Sequence, residues 1–152
     1  DSDMGRNLDF LWPPTSHARV QRFTQEQSLK GLEGDAFHWM IENIDGVTIG
    51  SINTHNCNSR YGTFSYGLNI DPDFRRKGYA REAIKLVLRY SFEELRYQKA
   101  TVTVHSFNEA SAKLHESLGF QREGTLRRML FSEGVFHDLW YYGLTAEEWK
   151  AL

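Results

Sequence analysis

The chain has 152 residues, of which 40% are hydrophobic and 25% are charged, as is ordinary for one soluble globular domain. The only cysteine, Cys57, excludes an internal disulfide framework, a zinc ribbon and a dithiol redox site. Eighteen basic and twenty acidic side chains give a net charge of -2, which excludes the broad basic surface that nucleic-acid binding requires. No apolar run is long enough to span a membrane, and the polar N-terminus is unlike a secretory signal. We therefore expect a single cytoplasmic domain over residues 1–152, with neither nucleic acid nor membrane as a partner.

The first half of the chain predicts one helix followed by three strands. Residues 15–27 follow two prolines and are typical of a helix. Residues 36–43 and 47–53 are rich in aromatic and β-branched residues and are separated by an Asp-Gly turn, which predicts a β-hairpin. Residues 63–70 alternate between apolar and polar side chains, so this strand has one face in the core.

The second half predicts a strand between two helices, and then a hairpin. Apolar residues recur at helical spacing over residues 80–95. A short strand over residues 100–104 leads to a helix that begins at Asn108, a favourable N-cap residue, and ends at Gly119. Two strands over residues 121–131 and 136–144 meet across Glu133-Gly134. A helical crossover joins parallel neighbours and hairpins join antiparallel ones, so we expect a mixed, mostly antiparallel sheet.

The loop between the third strand and the long helix is the strongest candidate for chemistry. It reads DPDFRRKGYA over residues 71–80. Free N–H groups at a helix start bind anions, and Gly78 lets a phosphate approach the main chain closely. The loop offers three positive side chains and no cluster of metal ligands, which favours a pyrophosphate over a metal. Taken by itself, the loop is equally typical of an exposed basic turn.

Further motifs follow this loop in a specific order. Residues 108–111 read NEAS, residues 114–120 read LHESLGF, and Glu123, Gly124 and Asp138 come later. Together with RRKGYA at residues 75–80, this pattern resembles the GNAT superfamily of N-acetyltransferases over roughly residues 36–149. It is most similar to the branch that acetylates the N-termini of ribosomal proteins.

The resemblance implies an α+β fold of three layers, with helices flanking a mixed sheet that splays apart at the acetyl-CoA site. It implies acetyl-CoA as co-substrate and no metal. The pyrophosphate would bind the loop backbone, and the pantetheine arm would pair like an extra strand with the end of the third strand. The residues expected to bind CoA are Leu68, Asn69, Ile70, Arg75, Arg76, Lys77, Gly78, Tyr79, Ala80 and Asn108. Residues 1–35 do not match the family's first strand and most of its first helix, which leaves open that the chain is shortened there and lacks that strand.

Direct attack of an amine on the acetyl group requires loss of a proton from the amine and stabilisation of the departing thiolate. Many members of the superfamily protonate the thiolate with a tyrosine in the second helix, and His115 stands at that position here. Ser111 lies one turn earlier on the same helix face. We expect His115, Ser111 or both to supply the proton, while a packing role for the histidine stays open. His55 is the candidate base.

The expected activity is N-acetylation of a protein N-terminus or a small amine. Two alternatives stay open: acetylation of a polyamine or an antibiotic amine, and CoA binding without catalysis. A polyamine site requires clustered carboxylates, which Glu42, Asp45 and Asp138 do not obviously form. Aromatic residues on the strands either line the acceptor pocket or pack in the core, namely Tyr66, Trp140 and Tyr141. Association into a homodimer is also left open.

Overall fold

The computed structural model describes residues 16–29 and 34–152, and the side chains of residues 16–26 and 34–152. Residues 1–15 and 30–33 lie outside this description, and so does the expectation about the family's first strand. The described helices are α1 (His17–Leu29), α2 (Tyr79–Arg89), α3 (Glu109–Ser117) and α4 (Ala146–Lys150). The strands are β1 (His38–Glu42), β2 (Thr48–Asn58), β3 (Thr63–Ile70), β4 (Lys99–His105), β5 (Gln121–Ser132) and β6 (Val135–Thr145). Within this part of the chain, no helix is long and apolar enough to cross a membrane.

These strands form one sheet in the order β1-β2-β3-β4-β6-β5. Only β3 and β4 pair in parallel, because α2 carries the chain from one to the other, and the other neighbours pair antiparallel. The prediction of an α+β fold with a mixed, mostly antiparallel sheet is therefore confirmed.

The sheet splays apart between β3 and β4. The two strands pair over only three positions, and the last pair joins Ser65 to Thr101. Beyond that pair β3 continues to Ile70 and β4 continues to His105 without pairing to each other. The divergence opens a cleft between strands that are neighbours in the sheet, as the resemblance predicts.

One hydrophobic core joins the sheet to α2 and α3. On α2, Ile84 and Leu88 are completely buried, as the helical spacing of apolar residues predicts. The Phe64 ring of β3 lies 6.0 Å from the Phe92 ring and 5.2 Å from the Tyr97 ring. Ala112 brings α3 into the same core. This packing fixes the starts of both helices relative to the splayed strands.

Local turns have the geometry that the sequence predicts. In the first hairpin, the Asn43 side chain accepts hydrogen bonds from the N–H groups of Asp45 and Val47, and Gly46 has φ +75°. In the last hairpin, Glu133 and Gly134 both have positive φ, as a tight two-residue turn requires.

Three elements differ from the sequence prediction. Strand β2 runs to Asn58, five residues beyond the expected end. Helix α1 begins and ends two residues later than the expected range 15–27, and its apolar Val20 and Phe23 are about half exposed. Helix α4 was missed, although Thr145 and Glu148 form a reciprocal capping box whose Thr-x-x-Glu spacing is readable in the sequence.

Candidate active site

A cleft with a volume of about 770 Å³ opens where β3 and β4 part, and the starts of α2 and α3 border it. Nearly all of the predicted site residues line it. These are His55, Leu68, Asn69, Ile70, Arg75, Arg76, Gly78, Tyr79, Ala80, Asn108, Ser111 and His115. The fold therefore brings together residues that are up to sixty positions apart in the chain.

Lys77 is the exception. Its ammonium group donates a hydrogen bond to the Asp73 carbonyl oxygen at 3.0 Å and lies 4.9 Å from the centre of the Phe74 ring. Arg75 is also tied to its own loop, since its Nε donates to the Ile70 carbonyl oxygen at 3.0 Å. The side chain of Lys77 thus points back onto the turn and away from the cleft.

Gly78 occupies the N-cap position of α2. Its φ of +87° is a left-handed conformation, which favours glycine. Apart from Gly78 and its immediate chain neighbours, no described atom lies within 4 Å of the point where a Cβ would stand, so the space beside this residue is open. The first N–H groups of α2 have no acceptor within the helix. Open space, free donors and nearby arginines fit an anion such as the pyrophosphate of CoA.

The end of β3 offers an unpaired backbone edge. Leu68, Asn69 and Ile70 line the cleft and have no partner residue on β4. Their other edge pairs with β2, and Asn69 also accepts a hydrogen bond from the Ser51 N–H through its side chain. An extended ligand could therefore bond this edge as an added strand would.

Helix α3 presents Ser111 and His115 to the cleft. Asn108 caps the helix, since its side-chain oxygen accepts a hydrogen bond from the Ser111 N–H at 3.1 Å. The Ser111 hydroxyl lies 3.4 Å from Nδ1 of His115, near the limit for a hydrogen bond. The Ser111 carbonyl oxygen is much closer to the same nitrogen, at 2.8 Å.

These contacts define the protonation state of His115. A carbonyl oxygen only accepts, so Nδ1 carries the ring proton and Nε2 carries the lone pair. The ring is 6% exposed, and its centroid lies 5.2 Å from that of Phe120 and 5.9 Å from that of Tyr66. Burial lowers the pKa of His115, and the bond to the Ser111 carbonyl opposes this only in part. The neutral imidazole is therefore favoured, and it cannot donate a proton from Nε2.

A second buried polar atom faces the same region. The Tyr66 hydroxyl and Nε2 of His115 both lack a hydrogen-bond partner among the described residues. Burial raises the pKa of Tyr66 well above its usual value. Tyr66 thus belongs to the core and also lines the cleft, whereas Tyr141 lines the cleft and Trp140 packs against the core.

His55 lies where the splay begins. On β2 it pairs with Ser65, and Ser65 pairs with Thr101 across the last contact between β3 and β4. The side-chain nitrogen of Asn53 lies 3.4 Å from Nδ1 of His55. A hydrogen bond there places the ring proton of neutral His55 on Nε2, which leaves no free acceptor on the ring. A base role for His55 stays a prediction, and it requires the other tautomer.

The permanently charged side chains that line the described cleft are all positive. Among the described residues that line it, the side chains with a permanent charge are Arg75, Arg76 and Arg81, and no Asp or Glu takes part. Asp138, one of the carboxylates weighed for a polyamine site, instead accepts a hydrogen bond from the Arg128 N–H. No group of three His, Cys, Asp or Glu in the described residues could hold a metal ion.

Arg81 also lines the cleft, although the sequence did not predict it as a site residue. Its Nη1 donates to the Ser117 hydroxyl at 2.7 Å, and its Nη2 donates to the Ser117 carbonyl oxygen at 3.1 Å. The two residues are 36 positions apart, and no local pattern indicates that they meet. The contact ties the start of α2 to the end of α3.

Several known proteins are similar to this chain in sequence or in fold. The chain is 41% identical over 150 residues to the SPbeta prophage-derived uncharacterized N-acetyltransferase YokL of Bacillus subtilis, covering 99% of this chain and 82% of that protein. It is 32% identical over 126 residues to the "Putative ribosomal N-acetyltransferase YdaF" of the same organism, covering 83% and 66%. A spermidine N-acetyltransferase from Vibrio cholerae, solved with CoA and spermine, superposes with a TM-score of 0.80 at 22% identity and covers 91% and 80%. That last likeness concerns the fold alone.

The model of the acetyltransferase (GNAT) domain matches residues 1–121. Its match spans the strands, the loop and the two helix starts that build the cleft. An N-acetyltransferase activity with acetyl-CoA as co-substrate follows from membership, in agreement with the expectation drawn from the sequence. The chain belongs to the acetyltransferase (GNAT) family.

Proposed function

We propose that the protein acetylates the free α-amine of a peptide or protein N-terminus, or a small amine without a second positive charge. The observation that carries this proposal is the charge of the cleft, whose described lining includes three arginines and no carboxylate. The arginines would face the phosphates of CoA, so a polycation such as spermidine would find no described carboxylate in the cleft to pair with its further charges. An acceptor whose only charge is the reacting amine enters as the neutral base and needs no such carboxylate.

The same proposal assigns the residues that hold acetyl-CoA, which supplies the activated thioester. The N–H groups at Gly78, Tyr79 and Ala80 would receive the pyrophosphate, and the guanidinium groups of Arg75 and Arg76 would balance its charge. The unpaired edge of residues 68–70 would hold the pantetheine arm. The backbone of Lys77 remains part of the loop, although its side chain is engaged elsewhere.

Within this proposal, Ser111 is the donor that stabilises the departing thiolate. As the amine nitrogen bonds to the acetyl carbon, the C–S bond breaks, its electron pair stays on sulfur, and the nitrogen releases one proton to solvent. A hydroxyl at the cleft surface can donate a hydrogen bond to that charge, and solvent then supplies the proton. The ring N–H of neutral His115 already donates a hydrogen bond to the Ser111 carbonyl oxygen, so His115 orients this turn of α3.

A panel of amines tests the proposal. Release of CoA would be followed with short peptides that bear a free α-amine, with the same peptides blocked at the α-amine but carrying lysine, and with spermidine. We expect the free α-amine peptides to give the highest kcat/KM. Faster turnover of spermidine would contradict the assignment of the acceptor, and the absence of turnover with every amine would leave CoA binding without catalysis.

Two further parts of the proposal concern assembly and location. We place the protein in the cytoplasm, where Cys57 stays a free thiol. We also propose a homodimer through the tip of the β5–β6 hairpin, where Met129, Phe131, Val135 and Phe136 are each more than half exposed. Light scattering across a range of concentrations tests the dimer, and Phe131→Ser should shift it to monomer. A monomeric wild-type protein at high concentration would rule it out.

A further inference from the structure

Arg81 is a half-buried cation that lines the cleft and has no carboxylate partner among the described residues. In this part of the chain its side-chain hydrogen bonds run only to Ser117, a neutral residue. The acidic residues next to Arg81 and Ser117 in the sequence have other partners: Glu82 pairs with Lys85 at 3.3 Å, and Glu116 accepts a hydrogen bond from Tyr142 at 2.9 Å. The positive charge of Arg81 is therefore not neutralised by any described residue.

The hydrogen bonds to Ser117 fix where this charge stands. Both terminal nitrogens of the guanidinium are held, one by the hydroxyl and one by the carbonyl oxygen. The Ser117 hydroxyl is itself oriented, because it donates to the Leu114 carbonyl oxygen at 2.7 Å. A guanidinium has five donors in a planar fork, so donors remain for an anion after both bonds to Ser117 are made. Held in this way, Arg81 loses little conformational entropy when an anion binds.

The position of Arg81 relative to the loop selects which anion it meets. In the proposed binding mode, the N–H groups at the start of α2 receive the pyrophosphate and the thioester arm runs inward along residues 68–70. In this mode the adenosine end leaves the pyrophosphate on the side opposite to residues 68–70, and Arg81 is the cleft-lining cation that stands on α2 itself, outside the loop. That end of CoA carries the third phosphate, on the 3′-hydroxyl of the ribose.

We propose that Arg81, oriented by Ser117 at the end of α3, binds the 3′-phosphate of CoA and makes the enzyme select CoA over dephospho-CoA. The inference rests on the proposed binding mode for acetyl-CoA. The competing explanation is that Arg81 only fastens α2 to the carbonyl groups at the end of α3, as a basic residue at a helix C-terminus does.

Calorimetric titration of the wild type and Arg81→Gln with CoA and with dephospho-CoA separates these explanations. Glutamine removes the charge but keeps an amide donor at this position. We expect Arg81→Gln to weaken CoA binding about tenfold, as for one charged hydrogen bond at a partly exposed site, and to leave dephospho-CoA binding unchanged. Lys85→Gln is the matched control, since it removes a cation of α2 that does not line the cleft, and it should change neither affinity.

Each other outcome overturns a defined statement. If Arg81→Gln lowers the affinity for CoA and for dephospho-CoA equally, Arg81 only connects α2 to α3 and does not contact the 3′-phosphate. A selective loss for CoA in Arg76→Gln but not in Arg81→Gln would move the 3′-phosphate contact to the loop. Equal affinity of the wild type for CoA and dephospho-CoA would refute the inference and leave the proposed function standing. Failure of the wild type to bind either ligand would instead refute the binding mode itself.

Discussion

The ring N–H at Nδ1 of His115 donates a hydrogen bond to the carbonyl oxygen of Ser111, one helical turn away, at a distance of 2.8 Å. His115 is thereby left with a buried acceptor, Nε2, rather than a donor. The hydroxyl of Ser111 remains available at the cleft. The hydrogen bond therefore gives His115 an orienting role and leaves Ser111 as the hydrogen-bond donor in the cleft.

We predict that Ser111→Ala lowers kcat about 10²-fold while the KM for acetyl-CoA changes little, because a donor aimed at developing charge acts mainly in the transition state. The alanine keeps the backbone carbonyl, so the bond to His115 survives. Ser111→Thr restores the hydroxyl and should recover most of the activity. Steady-state CoA release measures both, and a His115→Phe variant that loses more turnover than Ser111→Ala would return the donor role to the histidine.

His115 should also make the stability depend on pH. Its pKa is lowered on folding from an ordinary value of 6.5, so below that value the unfolded chain binds protons more readily than the folded one. The free energy of unfolding therefore falls as the pH drops below about 6.5 and reaches its full value above it. Urea titrations between pH 5 and 8 measure this slope. His115→Phe should flatten the slope, and an unchanged slope would show that His115 does not cause it.

Gly78 should be required for CoA binding for a reason separate from stability. Gly78→Ala and Gly46→Ala are matched, because both glycines have positive φ and open space around the missing Cβ. Each substitution should cost about 1–2 kcal/mol of stability, since alanine is strained in this conformation. Only Gly78→Ala should weaken CoA binding, by at least about tenfold, as its methyl group enters the space that a phosphate needs. Equal CoA affinity of the two variants by calorimetry would place the phosphates elsewhere.

The hydroxyls of Ser65 and Thr101 lie 2.8 Å apart at the last paired position before the sheet splays. We predict that Ser65→Ala and Thr101→Val each lower the free energy of unfolding by about 1 kcal/mol, since each leaves the other hydroxyl without its partner. The double variant should cost clearly less than the sum of the two single variants. Additive losses in urea titrations would mean that the two hydroxyls are not coupled.

Elements with strong local signals were predictable from the sequence. The strict alternation over residues 63–70 gave the bounds of β3, and glycine-containing turns gave both hairpins. Helix α4 carried an equally local signal in its capping box. The exposure of Val20 and Phe23 was not predictable, because helical spacing indicates a shared face and not what covers that face.

The location of the site was predictable, whereas the state of its side chains was not. The motif order placed His115 at the cleft, but its tautomer depends on a carbonyl one turn away and on aromatic rings from other elements. The loop sequence suggested three cations around a phosphate, yet the Lys77 ammonium found an acceptor in its own turn. The Arg81–Ser117 contact joins distant segments, so only the packed structure reveals it.

The central claim is that CoA lies in the cleft between β3 and β4, with its phosphates on the start of α2. An amide-resolved NMR titration of the 17.7 kDa protein with CoA tests this claim most directly. We predict that the largest shift changes occur at the N–H groups of Gly78, Tyr79 and Ala80 and along residues 68–70. Changes concentrated on the β5–β6 hairpin, with the α2 start unaffected, would contradict the account.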